Sequence, residues 1–182
     1  IGGQSYGVSV SFLTTWSIIW PQYRYLSYDQ FYVYQRPILE KYYGETWKND
    51  MKLVPAGSAN ITTDLLSRRM NPRSNKIVIF CGVFTVEIEL VTFIRNLAEM
   101  FVDRDIIVQV KPQIVESEIG VKFVKDCTEN LPNISHCRES SYNLIVKHRY
   151  TISDPSSLVA EGIQLSSCSF CFDIPSKQQS NI

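Results

Sequence analysis

The sequence predicts an α+β domain: a mainly antiparallel, sandwich-like β-sheet with two or three helices packed on it. Three observations predict it. From Tyr6 to Trp20 every second residue is large or β-branched (Tyr6, Val8, Val10, Phe12, Thr14, Trp16, Ile18, Trp20), with Gly7, Ser9, Ser11, Thr15 and Ser17 between them. Side chains on a strand alternate faces, so this stretch lays an apolar wall on a core and shows water its other side, as antiparallel sheets do. Residues 76–91, KIVIFCGVFTVEIELV, give a second strand signal, apolar on both faces at first and alternating later. Helical patterns do not follow strand patterns in regular succession, which argues against a doubly wound fold.

The first strand stops at Pro21. Ser27-Tyr28-Asp29-Gln30 has the form of a capping box, and Phe31, Tyr34, Ile38 and Tyr42 follow at helical spacing up to Gly44. Pro37 either kinks this helix or opens a shorter one over 37–43, which leaves 30–35 free to be extended. Residues 45–60 read as a polar loop with Pro55 and Gly57, and 63–70 as a short helix ahead of Pro72. After the strand over 76–91, Thr92 opens a helix to about Asp103, with Phe93, Leu97, Met100 and Phe101 on one stripe. Residues 106–111 form a strand ended by Pro112, and 119–124 another. Residues 127–140, with Pro132, read as a loop, and 142–152 alternate again. Asp154-Pro155-Ser156 is a turn or a helix start, and 163–174 form the last strand.

A chain of 182 residues suffices for one core, read as a single domain over 1–175 with a polar tail over 176–182. Ten Tyr, nine Phe and three Trp favour strands and contact surfaces. Eighteen basic and eighteen acidic residues cancel, so attraction to a polyanion or an anionic membrane must come from a local patch. No apolar run approaches the ~20 residues that span a bilayer, and the opening Ile-Gly-Gly lacks the basic leader of a signal peptide. Five cysteines is an odd count, which points to thiols in a reducing, intracellular setting. The sequons at Asn60 and Asn133 then read as accidental.

Chemistry is sparse. Cys168-Ser169-Phe170-Cys171 is a CxxC, but residues three apart on a strand face opposite sides and do not share a zinc ion. Cys127, His136 and Cys137 make an awkward completion, so neither a metal nor a cofactor is expected. His136 and His148 are the two imidazoles a hydrolase would need beside a cysteine, and no nucleophile elbow, zinc-protease motif or phosphate-binding glycine loop accompanies them. Glu87 with Glu89, and Glu116 with Glu118, read as solvated strand faces. The feature above background is the run from Arg68 to Lys76. Arg68, Arg69, Arg73 and Lys76 give it four positive charges and no acid, which suits an RNA phosphate, an anionic lipid or an acidic partner. Basic residues there also complement a helix C-terminus. Lys147 and Arg149 offer a secondary basic contact.

The order of elements resembles the rhabdovirus matrix protein core. The matching pieces are the amphipathic stretch 6–20, the Ser-led segment 27–44 closing as Glu40-Lys41-Tyr42-Tyr43-Gly44, and the strands over 76–91 and 142–152. The likeness lies in pattern, spans about two thirds of the chain and carries no specific motif. The basic N-terminal arm of that family is missing, and Trp20-Pro21-Gln22-Tyr23 is not its proline-rich motif. The resemblance implies a non-enzymatic virion protein of the host-cell cytoplasm that self-associates, contacts nucleocapsid or RNA and lies under a membrane. The sequence thus predicts a structural, self-assembling interaction protein with a charged partner. The alternatives are a β-barrel or sandwich with a ligand pocket behind Phe12, Trp16 and Trp20, and a cysteine–histidine hydrolase.

Overall fold

The computed structural model describes residues 6–8, 26–33, 36, 40, 45, 47, 50–58, 60–82 and 84–174. The chain divides into two compact units, 1–63 and 64–182.

The first unit holds a small parallel sheet in the order β1 (Tyr6–Val8), β2 (Gln30–Val33), β3 (Lys52–Pro55). In β2 the period of two is plain: Phe31 and Val33 are buried while Gln30 and Tyr32 are half-buried. Phe31 meets Trp47 edge-on at 6.0 Å, an arrangement that aromatic quadrupoles favour. Of the expected first strand, 6–8 are extended and 9–20 lie outside the described residues, as do Phe12, Trp16 and Trp20. Of the two readings of 27–44, the helix starting at Ser27 is corrected: 30–33 are a strand, as in the reading that leaves 30–35 extended, and Arg36 and Glu40, both helical, pair at 2.6 Å.

In the second unit α1 (Thr63–Arg68) leads into β4 (Ser74–Cys81), α2 (Ile88–Met100), β5 (Ile106–Val110), α3 (Pro112–Val115), α4 (Glu118–Thr128), β6 (Ile134–His136), α5 (Ser141–Lys147), β7 (His148–Ser153), α6 (Ser157–Gln164) and β8 (Cys168–Cys171). Five strands form one sheet in the order β6-β5-β4-β7-β8, and every neighbouring pair is parallel. The predicted antiparallel α+β architecture is therefore wrong; this is an α/β fold with a doubly wound sheet. The physical reason is visible in the middle strands. Residues 77–81 and 106–110 are buried without interruption, as they must be when helices cover both faces.

On one face α2 and α4 pack Leu90, Val91, Ile94, Ala98, Phe123 and Cys127 against Ile77, Ile79, Ile106 and Val108. On the other face α6 lies close to β7 and β8: a Cβ on Gly162 would collide with the Ser169 hydroxyl and come 3.3 Å from that of Thr151. The Ser117 hydroxyl caps α4 by accepting from the Gly120 N–H at 3.1 Å, and Asn130 with φ 63° ends it in the left-handed region. The side-chain amide of Asn133 donates to the carbonyls of Ala98, Phe101 and Arg104, so this sequon asparagine holds down the turn after α2.

Several elements are corrected with the fold. The long strand over 76–91 stops at Cys81, and α2 begins at Ile88. Residues 119–124 are helix, and 127–140 contain β6. The stretch 142–152 is helix α5 running straight into β7, and the expected last strand is split by the end of α6. Glu87 and Glu89 stand at the N-terminus of α2, where its dipole favours carboxylates, and Glu116 pairs with Arg138 at 2.6 Å. The matrix-like antiparallel sheet, and the viral, self-assembling, RNA-binding and membrane-associated roles expected with it, lose their footing in an α/β fold. Among the described residues no helix is long and apolar enough to cross a membrane.

Candidate functional site

Strand order reverses at β4: β5 and β6 are laid to one side, β7 and β8 to the other. In open α/β sheets a crevice forms outside the carboxyl ends of the strands at such a reversal. Here the carboxyl ends of β4, β5 and β7 deliver the loop 82–87, Lys111 and the segment 154–157.

Asp154 follows β7 and is 2% exposed. Its Oδ2 accepts from the backbone N–H of Gly82 at 2.7 Å and of Phe84 at 3.4 Å. The Thr85 hydroxyl donates to the Gly82 carbonyl at 3.1 Å and closes the same loop. The Gly82 and Phe84 amides are thereby bound to a carboxylate of the protein itself and are not free to cradle a phosphate. Gly82 lets its neighbour come close: a Cβ there would stand 2.7 Å from Lys111 Cε and 3.1 Å from Nζ and would push the flexible end of that side chain aside. The Lys111 side chain thus lies across the bare backbone at the crest of β4. Lys111 is exposed, and among the described residues no carboxylate pairs with it.

Beyond β7, the Ser153 and Ser156 hydroxyls are bonded at 2.8 Å, and Ser156 caps α6 by accepting from the Leu158 N–H at 3.3 Å. Ser157, half-buried at the first turn, has neither its N–H nor its hydroxyl taken by another described residue. Lys111 after β5 and Ser157 after β7 thus stand on either side of β4 at the carboxyl edge of the sheet. Sequence reasoning missed Lys111 and the 154–157 segment. The signals were Gly82 and Lys111-Pro112 directly after apolar strands, and Asp154-Pro155-Ser156-Ser157 ahead of a helical pattern.

The residues predicted for a charged partner sit at the opposite, amino edge of the sheet. The register Ser74↔His148 and a 2.9 Å bond from Arg68 to Asn143 Oδ1 bring Arg68, Arg69, Arg73 and Lys76 together with Lys147 and Arg149. Much of this charge is already engaged. Arg73 donates to the carbonyls of Arg69 and Leu165, and Arg69 to that of Gln164 at 3.5 Å, which caps the C-terminal end of α6. Burial lowers the Arg73 pKa from its ordinary value. Lys76 pairs with Asp105 at 2.8 Å, Lys147 with Glu139, and Arg68 with Asp64 at 3.5 Å. Arg149 lies 5.6 Å from the centre of the Tyr150 ring.

His148, 9% exposed, shares a 2.6 Å hydrogen bond between Nδ1 and the Ser74 hydroxyl. Burial lowers its pKa, with Lys76 and Lys147 adding to the effect and Glu139 opposing it. Burial also lowers that of His136, with Arg138 adding to it. Among the described residues neither imidazole bonds a cysteine, as the hydrolase reading requires. Burial pushes the Cys127 thiol up to about 12 and that of Cys81 well above its ordinary value, which leaves both unreactive. The five thiols are free, and no cluster of three or more His, Cys, Asp or Glu able to hold a metal occurs among the described residues. No family model matches the chain, and no curated protein matches it.

Proposed function

We propose that the second unit is a small-molecule-binding domain that takes a diphosphate-bearing ligand, such as a nucleotide, at the carboxyl edge of its sheet. The observation that carries this reading is Lys111, an exposed cation without a carboxylate partner among the described residues, laid over Gly82 where the strand order reverses. Its ammonium meets one phosphate as a point charge. The Ser157 N–H and hydroxyl at the start of α6 meet the second, with the helix dipole behind them. Asp154 does not touch the ligand in this arrangement; it fixes the loop across which Lys111 lies.

A second reading puts an anionic partner on the amino edge, favoured by the register that joins the two basic runs. One titration separates the two. ADP and inorganic pyrophosphate are added to the protein in a calorimeter at low and high salt. Lys111→Ala is expected to weaken binding by roughly 10- to 100-fold, the usual worth of a charge-assisted contact. The Lys76→Gln, Arg149→Gln variant should then bind as the parent does. The opposite pattern moves the anion to the amino edge, and no saturable binding in the parent removes the proposal.

A further inference from the structure

A second concavity lies on a face of the sheet, away from the carboxyl edge. The face carrying Ile77 and Ile79 continues across β7 as Tyr150 and Ile152 and across β8 as Phe170. Helices α2 and α4 cover its β4, β5 and β6 side. Over β7 and β8 the described residues place no helix, and a groove of about 510 Å³ runs between those strands and α2. That volume lies in the usual range for small-molecule sites, ~300–1,000 Å³. Phe93, Leu97 and Phe101 form the helix wall, and Tyr150, Phe170 and Phe172 the sheet wall. Phe93 and Phe172 stack at 4.6 Å, which fixes the floor, while Phe170 is 56% exposed at the rim.

One cation stands in this apolar setting. The Arg104 guanidinium lies 5.5 Å from the centre of the Tyr150 ring and 6.0 Å from that of Phe101. Its one hydrogen bond among the described residues is a long one, 3.4 Å from Nη1 to the Asn75 carbonyl, and no described carboxylate pairs with it. Two rings hold the planar fork in place and leave its remaining N–H groups for an acceptor that enters from the groove.

We infer that this groove binds an amphipathic monocarboxylate, its apolar chain between the aromatic walls and its carboxylate on Arg104. The probes are dodecanoate, dodecanol and dodecyltrimethylammonium, each kept below its micelle concentration and titrated against a groove-bound fluorescent dye. The expected order is dodecanoate above dodecanol, with the cationic probe weakest. Arg104→Gln should bring dodecanoate down about tenfold to the level of dodecanol and leave dodecanol unchanged. Phe170→Asp, on an exposed edge strand where folding tolerates it, should abolish displacement by all three while circular dichroism stays that of the parent. Equal affinity for the anionic and cationic probes, an unaltered Arg104→Gln variant, or full binding by Phe170→Asp overturns the inference. ADP binding at the carboxyl edge should be unchanged by either substitution, so the two sites stand or fall separately.

Discussion

Replacing Asp154 by Ala tests the crest of the sheet most directly. The carboxylate is buried and accepts from two buried amides, at 2.7 Å from Gly82 and 3.4 Å from Phe84. A hydrogen bond to a charged group contributes about 1.5–3 kcal/mol, and an orphaned buried N–H costs about 1–3 kcal/mol. The longer bond counts for little, and removing a buried charge recovers part of the loss. The net expectation is a destabilisation of about 2–4 kcal/mol, large against a typical total of about 5–15 kcal/mol. For a unit spanning 64–182, each kcal/mol moves the melting midpoint by about 4 °C, so Tm should fall by roughly 8–16 °C. Asp154→Asn keeps an acceptor oxygen in place and should lose about half as much. Urea and thermal unfolding followed by circular dichroism measure both. An Ala variant within about 1 kcal/mol of the parent would show that the loop 82–87 holds its shape without the carboxylate, and the account of the crest would fall.

Two further outcomes follow from Arg73 and from the histidines. Arg73→Ala should cost about 1–2 kcal/mol, read as a lower urea midpoint, because it uncaps the Leu165 carbonyl. Arg73→Lys should restore part of this, since a single nitrogen, Nη2, donates to both the Arg69 and Leu165 carbonyls and an ammonium on a shorter stem keeps donors for them. The histidines set a pH dependence of definite sign. Burial holds His148 and His136 below the ordinary value of about 6.5, so the unfolded chain takes up their protons first. Their contribution is whole above about pH 6.5 and is lost as the pH falls through the folded-state values. Between pH 7.5 and 5.5 the parent should lose more stability than His148→Gln; equal losses would refute the assignment.

The sequence disclosed single strands better than their partnership. β5 was legible because Pro112 stops an apolar run cleanly; of α6 the sequence shows only a turn or helix start at Asp154-Pro155-Ser156, its end at 163–164 reading as strand. Two fusions hid the rest. Val86, Ile88 and Leu90 alternate with Glu87 and Glu89 as a strand would, yet Ile88 opens a helix whose buried stripe is Leu90, Val91, Ile94 and Ala98. Helix α5 passes into β7 at Lys147–His148 with no intervening turn residue, so its three consecutive buried positions Leu144, Ile145 and Val146 look like part of one strand. The unbroken burial of 77–81 was the signature of a parallel sheet, and the weight placed on the opening alternation obscured it. The basic run was legible as charge. Its use as a cap for α6 was not, because Leu165 lies 92 positions from Arg73. Lys111 escaped notice because its significance depends on Gly82, a neighbour only across the sheet.

The pairing of Ile77 with Tyr150 has a cost during synthesis. As the nascent chain leaves the ribosome, β4 emerges with one flank served early by β5 and the other bare until some seventy more residues have appeared. Through that interval a hydrophobic ribbon with unclaimed amides faces solvent or whatever chaperone attends it, and slow, long-range closure of this kind is where aggregation competes with folding.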